Sequence, residues 1–233
     1  VLSAQLPRQR TGRTLPDPSQ QIIDLASSPV GAQMSAAYHF FHESFDKVNP
    51  IISQVIKSAV KKQILDPYLE PSNYKANWWL GFEQKPGAVV NNWNPWCNAD
   101  VILCFLLMEK DPERLDHALR QSARSVDKFW EYVKSDGACE EGPAYWGHAA
   151  GKLYDYLKIM SEASDGRFSF FDVKQIKDMG EYISRSYVQQ KPYPPYNSPS
   201  PTRLMALAVV LAGKSLNCCH VSVLALYDHQ SDK

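Results

Sequence analysis

Helix start signals recur along this chain, and they restrict what it can fold into more than any other feature. Asn49-Pro50 and Asp111-Pro112 each place a capping side chain before a proline at the first helical position, where the missing N–H costs nothing. Ile52, Val55, Ile56, Ala59, Val60 and Ile64 follow the first signal at helical spacing. Leu115, Ala118, Leu119, Val126, Phe129, Trp130 and Val133 follow the second, and Asp136-Gly137 ends the run. Pro143 opens another helix through Ala149, Leu153, Tyr156, Leu157 and Met160, which Ser164-Asp165-Gly166 closes. Asp172 caps a further one through Val173, Ile176, Met179 and Ile183. The best strand signal, Val89-Val90, is too short to build on. The expectation is an all-α chain of roughly seven or eight helices in antiparallel hairpins.

The ends read differently. The first seventeen residues are polar and basic, with Pro7, Pro16 and Pro18, and read as a loop. Lys191 to Pro201 holds five prolines and reads as an extended linker. Leu204 to Ala212 is a short apolar helix candidate, and no clear amphipathic period runs from Asn217 to Lys233. The chain therefore divides into a helical domain over 1–190 and a Pro-rich linker with an atypical tail over 191–233. Val1-Leu2-Ser3 carries neither a Met nor a signal pattern, so either a signal was removed or the chain begins inside a longer protein.

With 25 basic and 25 acidic residues, the chain has no electrostatic footprint for nucleic acid or an acidic membrane surface. No apolar run is long enough to span a bilayer. The five cysteines (Cys97, Cys104, Cys139, Cys218 and Cys219) have no framework spacing and read as buried thiols. Cys218-Cys219-His220 lacks a second ligand pair, so no metal site is expected.

Two segments carry the chemistry. Four Asn and two Trp fall within the eight residues from Asn91 to Asn98, directly ahead of the apolar run Val101 to Met108. Such a stretch is poor helix interior, because Asn competes for backbone hydrogen bonds. It suits the rim of a cleft: amides donate to a carboxylate without adding charge, and Trp faces stack on sugar rings. The plainer alternative is a capping Asn with packed Trp neighbours. The second segment runs from Asp136 to Trp146 and places Tyr145 in the first turn of a helix, after Glu140 and Glu141. A helix N-terminus favours an anion, so a tyrosinate costs less there. Here the plainer alternative is a capping Glu141 and a core Tyr.

Together the segments fit β-elimination from a uronic acid. A base removes the C5 proton and the C4 oxygen leaves. Asn91 and Asn92 would hold the developing charge on the carboxylate, as oxyanion donors do, and Tyr145 would carry the proton. The scheme calls for no metal or other cofactor.

At these residues the chain resembles the heparinase II/III-like family of polysaccharide lyases. The likeness runs from about Leu15 to Val188 and is densest from Asn77 to Tyr187. It rests on Asn91-Asn92-Trp93-Asn94 with Trp96-Cys97-Asn98, and on Asp136-Gly137 with Glu141-Gly142-Pro143-Ala144-Tyr145-Trp146. The fifty-four positions from Asn91 to Tyr145 also match the family's spacing. The resemblance implies an incomplete (α/α) toroid and a heparin/heparan sulfate-like or alginate-like substrate. It implies Tyr145 as catalytic acid, either alone or serving also as base, and Asn91 as the group that neutralises the carboxylate. Asn92 stands where many members have His. Trp93, Asn94, Trp96, Glu141 and Trp146 are the expected substrate contacts. The family also implies a periplasmic or secreted protein and a C-terminal β-sandwich with a further catalytic His, which would belong to a longer parent. His148 is a tempting substitute one turn after Tyr145, although a structural or surface role fits it better, as it does His39 and His42. The alternatives are a non-catalytic or truncated sugar-binding fragment, and a toroid glycoside hydrolase or uronyl epimerase. A hydrolase would need two carboxylates, from Glu141 with Asp100 or Asp136.

Overall fold

The computed structural model describes residues 21–83, 90–138, 142–185, 187–188 and 191–192. The expected N-terminal loop, most of the Pro-rich linker, the Leu204 to Ala212 helix, the tail with Cys218-Cys219-His220, and Val89, Cys139, Glu140 and Glu141 lie outside the described residues. The described part is all-α apart from one antiparallel pair of two-residue strands, β1 (Tyr187–Val188) and β2 (Lys191–Pro192), with Tyr187 opposite Pro192. Two compact units divide the chain, Val1–Tyr132 and Val133–Lys233.

The first unit opens on α1 (Ser27–Val48). Buried Asp24 starts it by accepting from the backbone N–H of Ala26 at 2.8 Å and of Ser27 at 2.7 Å. Next come α2 (Ile51–Val60), a π-helical turn (Lys61–Leu65) and α3 (Asp66–Leu69), continuous in sequence. The ring of Pro67 crowds the carbonyl four residues back, and the widened turn just ahead relieves it. Two 3-10 turns, Pro71–Asn73 and Trp78–Leu80, lead on toward α4 (Trp93–Met108) and α5 (Pro112–Tyr132).

Contacts between these helices fix their directions. Ser53 Oγ meets the His42 carbonyl and Lys57 Nζ lies over the Tyr38 ring, so α1 and α2 form an antiparallel hairpin. Asn94, at the start of α4, meets Ser125, late in α5, which makes a second hairpin. Between hairpins the order is preserved. Ser28 meets Cys97 and Asp100 while Gly31 lies against Cys104, so α1 and α4 run parallel. Arg114 binds Asp66 and Gln121 binds the Tyr68 carbonyl, so α3 and α5 run parallel. Gly31 permits the close approach, since a Cβ there would meet Ile64 at 2.9 Å. α4 is apolar on nearly every side and buries Val101, Ile102, Cys104 and Phe105 completely, whereas α5 keeps a charged outer face and buries Ala118, Val126 and Phe129.

The expected face of α2 is only partly right. Val60 and Ile64 are buried, but Val55 is exposed, as are Ile51 and, on α1, Phe40, Phe41 and Val48. The Asp111 cap is as read: its Oδ1 accepts from Glu113 N at 2.9 Å and from Arg114 N.

The second unit holds α6 (Gly142–Ala163) and α7 (Lys174–Arg185). Asp165 and Gly166, both at positive φ, end α6, and Gly166 N closes onto the Ser161 carbonyl at 2.8 Å. The Tyr154 hydroxyl donates to the Ile176 carbonyl, and Ile176 and Met179 are fully buried. Asp172 is the expected cap of α7, but the structure places it differently. It stands two residues ahead of the first helical residue, and its carboxylate instead pairs with Lys177 at 3.1 Å. Val173 is exposed rather than in the core.

Candidate functional site

The first set of expected site residues gathers at the N-terminus of α4. Asn91 Oδ1 accepts from Trp93 N at 3.1 Å and its carbonyl accepts from Asn94 N, so Asn91 caps the helix. That bond fixes the direction of the amide: the oxygen turns to the helix, and Nδ2 keeps its two N–H donors with no partner among the described residues. Asn92 is 5% exposed, and its amide has no partner among the described residues either. Trp93 and Trp96 are partly exposed. The positive end of a sixteen-residue helix thus coincides with two amides that have donors to spare, an arrangement suited to a carboxylate.

Asn94 does not belong to this rim, although it was expected among the substrate contacts. It is fully buried, and Nδ2 donates to the Trp79 carbonyl at 2.8 Å and to the Ser125 carbonyl and hydroxyl at 2.9 and 3.0 Å. Asn98 repeats the role one turn on, donating to Ser125 Oγ at 2.9 Å and accepting from the Tyr68 hydroxyl at 2.8 Å. Ser125 Oγ in turn donates to the Leu80 carbonyl. These amides tie α4, α5, α3 and the Trp78–Leu80 turn together. The Asn-rich segment therefore divides by depth and partner: Asn91 is half-buried and Asn92 is buried with its amide unbonded, while Asn94 and Asn98 are buried and bonded within the fold.

Trp78 packs beside this helix start, a neighbour outside both sequence motifs. Its ring lies 5.5 Å from that of Trp93, centroid to centroid, with the planes at 43°. Trp79, the next residue, is completely buried and donates from Nε1 to the Ile23 carbonyl at 2.9 Å. The available signal was the crowding of four Trp between positions 78 and 96.

The second set lies on α6. Tyr145, in its first turn, is 49% exposed. The exposed His148 ring lies 5.7 Å from it at 58°. Trp146 was expected to touch substrate. It is fully buried, with no face open to a ligand, and its Nε1 has no hydrogen-bond partner. Glu141 lies outside the described residues.

The other candidates have protein partners. Asp100 accepts from the Ser28 hydroxyl at 2.9 Å, and Asp136 Oδ1 accepts from Ala138 N. His39 packs edge-on against Phe40, and His42 Nδ1 meets the Tyr38 carbonyl. Cys97 and Cys104 are buried free thiols, and burial pushes Cys104 up to about 12. An open groove in the second unit is lined by Ser135, Asp136, Lys174, Asp178 and Arg185. Its cations already have partners: Lys174 pairs with Asp178 at 2.6 Å, and Arg185 pairs with Glu181 at 3.1 Å and donates to the Asp136 and Asp178 carbonyls. Among the described residues no cluster of His, Cys, Asp and Glu could hold a metal ion, and no helix is long and apolar enough to cross a membrane.

Comparison with family models finds no match to this chain, and comparison with curated proteins finds none either.

Proposed function

We propose that the chain is the helical part of a polysaccharide lyase that cleaves uronic-acid polymers by β-elimination. The observation that carries this reading is the Asn91 amide, held by its oxygen at the start of α4 with both N–H groups spare. In the proposed scheme Asn91 and Asn92 donate to the uronate carboxylate, and the helix terminus adds its partial positive charge. Charge that builds on the carboxylate as the C5 proton leaves is then stabilised. Tyr145, as phenolate, takes that proton, the C4–O bond breaks, and a C4–C5 double bond forms. The phenol then returns the proton to the departing C4 oxygen. The half-exposed position of Tyr145 on the first turn of α6 supports this role.

The paired hairpins support an incomplete (α/α) toroid, since parallel equivalent helices, each with an antiparallel neighbour, are the repeating unit of such an array. The motif resemblance points to the same class, with an acidic polysaccharide of the heparan sulfate or alginate type as substrate and a periplasmic or secreted setting. Partly exposed indoles beside free amides favour one second reading, carbohydrate binding without turnover.

The test is to incubate the chain with alginate and with heparan sulfate and to follow the ultraviolet absorbance of the unsaturated ring. Turnover that disappears in Tyr145→Phe is the expected result. Undiminished turnover in that variant removes Tyr145 from the mechanism, and binding without any new absorbance selects the second reading.

A further inference from the structure

We propose that the closed end of the α1–α2 hairpin is the surface through which two copies of this chain associate, the two hairpins packing into a four-helix bundle. The inference stands apart from the chemistry assigned to Asn91 and Tyr145 and does not depend on it.

The hairpin runs out past its own core. The buried residues of α1 end at Ser35, and no residue from Ala36 to Val48 is buried. On α2 only Ser53 is buried before Val60. One seam joins the two helices here, through Ser53 on the His42 carbonyl and Lys57 over the Tyr38 ring. A lone pair of helices hides one side of each and leaves the other to solvent.

That other side is apolar. Phe40, Phe41, Val48, Ile51 and Val55 are each more than half exposed. At about 3.6 residues per turn, Phe40, Phe41 and Val48 fall on the side of α1 opposite Ser28, Gly31 and Ser35, and Ile51 and Val55 fall on the side of α2 opposite Ser53 and Val60. Val48 and Ile51 flank the Asn49-Pro50 turn. The five side chains present on the order of 500 Å2 of apolar surface, as much as the largest patch an ordinary monomer leaves open. Paired with itself, the patch covers on the order of 1,000 Å2, the lower bound for a specific interface, so the association belongs in the micromolar range.

Charge selects the occupant. From Ile51 to Ile64 the chain carries Lys57, Lys61 and Lys62 and no acid, whereas the exposed part of α1 carries Glu43 and Asp46 against Lys47. Glu43, Asp46 and Lys62 have no ion-pair partner among the described residues. An anionic lipid surface suits α2 but is repelled by the acids of α1. A second copy suits both helices: a two-fold axis lays α1 of one protomer along α2 of the other and brings acid to base on both sides at once.

Sedimentation equilibrium of the full chain, from well below to well above micromolar concentration, tests this. The expected result is a reversible monomer–dimer equilibrium. Phe41→Glu with Val55→Glu, two changes at positions already in solvent, weakens it by about ten-fold or more and leaves the circular dichroism spectrum unchanged. Glu43→Lys with Asp46→Lys weakens it as well, and adding Lys57→Glu with Lys62→Glu to that variant recovers the dimer. A wild-type chain that stays monomeric throughout overturns the proposal, as does a dimer that survives Phe41→Glu with Val55→Glu. Association indifferent to the reversal of the α1 charges overturns the pairing of α1 with α2. Capture of a monomeric chain by vesicles containing anionic lipid would assign the face to a membrane instead.

Discussion

Asn94 and Ser125 are joined twice, through the Asn94 amide to both the carbonyl and the hydroxyl of Ser125, and neither residue touches solvent. The Ser125 hydroxyl also accepts from Asn98 and donates to the Leu80 carbonyl. One small side chain therefore serves three groups, Asn94 and Asn98 on α4 and the Leu80 carbonyl on the 3-10 turn. Ser125→Ala removes it without changing the shape of the helix, and it takes the partner from one Asn98 N–H and a donor from the Leu80 carbonyl where water cannot reach. The expected cost is about 1–3 kcal/mol in urea unfolding followed by Trp fluorescence. Ser58→Ala on the exposed side of α2 stays within about 0.5 kcal/mol. Equal effects from the two would mean that the buried hydroxyl is not what holds α4 to α5.

Gly137 and Gly166 both have φ near +80°, at 80° and 79°. Their surroundings differ. A Cβ on Gly137 would lie 2.5 Å from the backbone of Asp178 and Met179, whereas one on Gly166 would meet nothing within 4 Å. Gly166→Ala thus carries backbone strain alone, about 1 kcal/mol. Gly137→Ala adds a collision with backbone that has no rotamer to change, and its cost reaches about 3 kcal/mol or more. Hydrogen exchange of the α7 amides reads the difference: those amides lose protection in Gly137→Ala and keep it in Gly166→Ala.

Burial raises the Cys104 thiol from its ordinary 9.0 to about 12, opposed by a hydrogen bond with Ser35. A folded-state value above the unfolded one means that the unfolded chain releases its proton first as pH rises. The stabilisation is therefore complete below about 9 and is lost between about 9 and 12, with a slope approaching about 1.4 kcal/mol per pH unit for one proton. Tyr154, raised by burial from 10.0 to about 12, adds a second loss that begins higher. Cys104→Ala removes the first part of this alkaline decline and leaves the second. Peptide mapping after iodoacetamide treatment at neutral pH finds Cys104 unmodified in the native chain and modified in urea, whereas rapid native labelling would place the thiol at the surface.

Helix positions were legible because they follow from local rules. The Asp111 cap and the Asp165-Gly166 stop are short-range events in which a side chain or a positive φ meets its own backbone. Facing was less legible, because Val55 keeps the right spacing for a core position yet lies on a side of α2 that no described element covers. Within the Asn-rich segment the sequence marked composition but not depth. Asn91 and Asn94 sit less than one turn apart, and only the closeness of Trp79 and Ser125 decides which is sealed in. Trp78 was hidden for a similar reason: its partner, Trp93, lies fifteen positions away across a 3-10 turn, a pairing no period announces.

Tyr145 and Trp146 are consecutive residues on α6 with opposite surroundings, one 49% exposed and the other 0%. Removing the Tyr145 hydroxyl changes little that folding depends on, so Tyr145→Phe alters stability by no more than about 0.5 kcal/mol. Trp146→Ala leaves a large void and costs about 3–5 kcal/mol. The indole N–H of Trp146 has no partner to lose, so packing accounts for that cost rather than a hydrogen bond. Thermal unfolding of the two variants checks the contrast. It also decides how their activities are read: a loss of turnover in Tyr145→Phe at unchanged melting temperature belongs to the phenol, while a loss in Trp146→Ala follows the collapse of its surroundings. A Tyr145→Phe variant that melts several degrees lower would show the hydroxyl bonded within the fold and would weaken its assignment as a proton carrier.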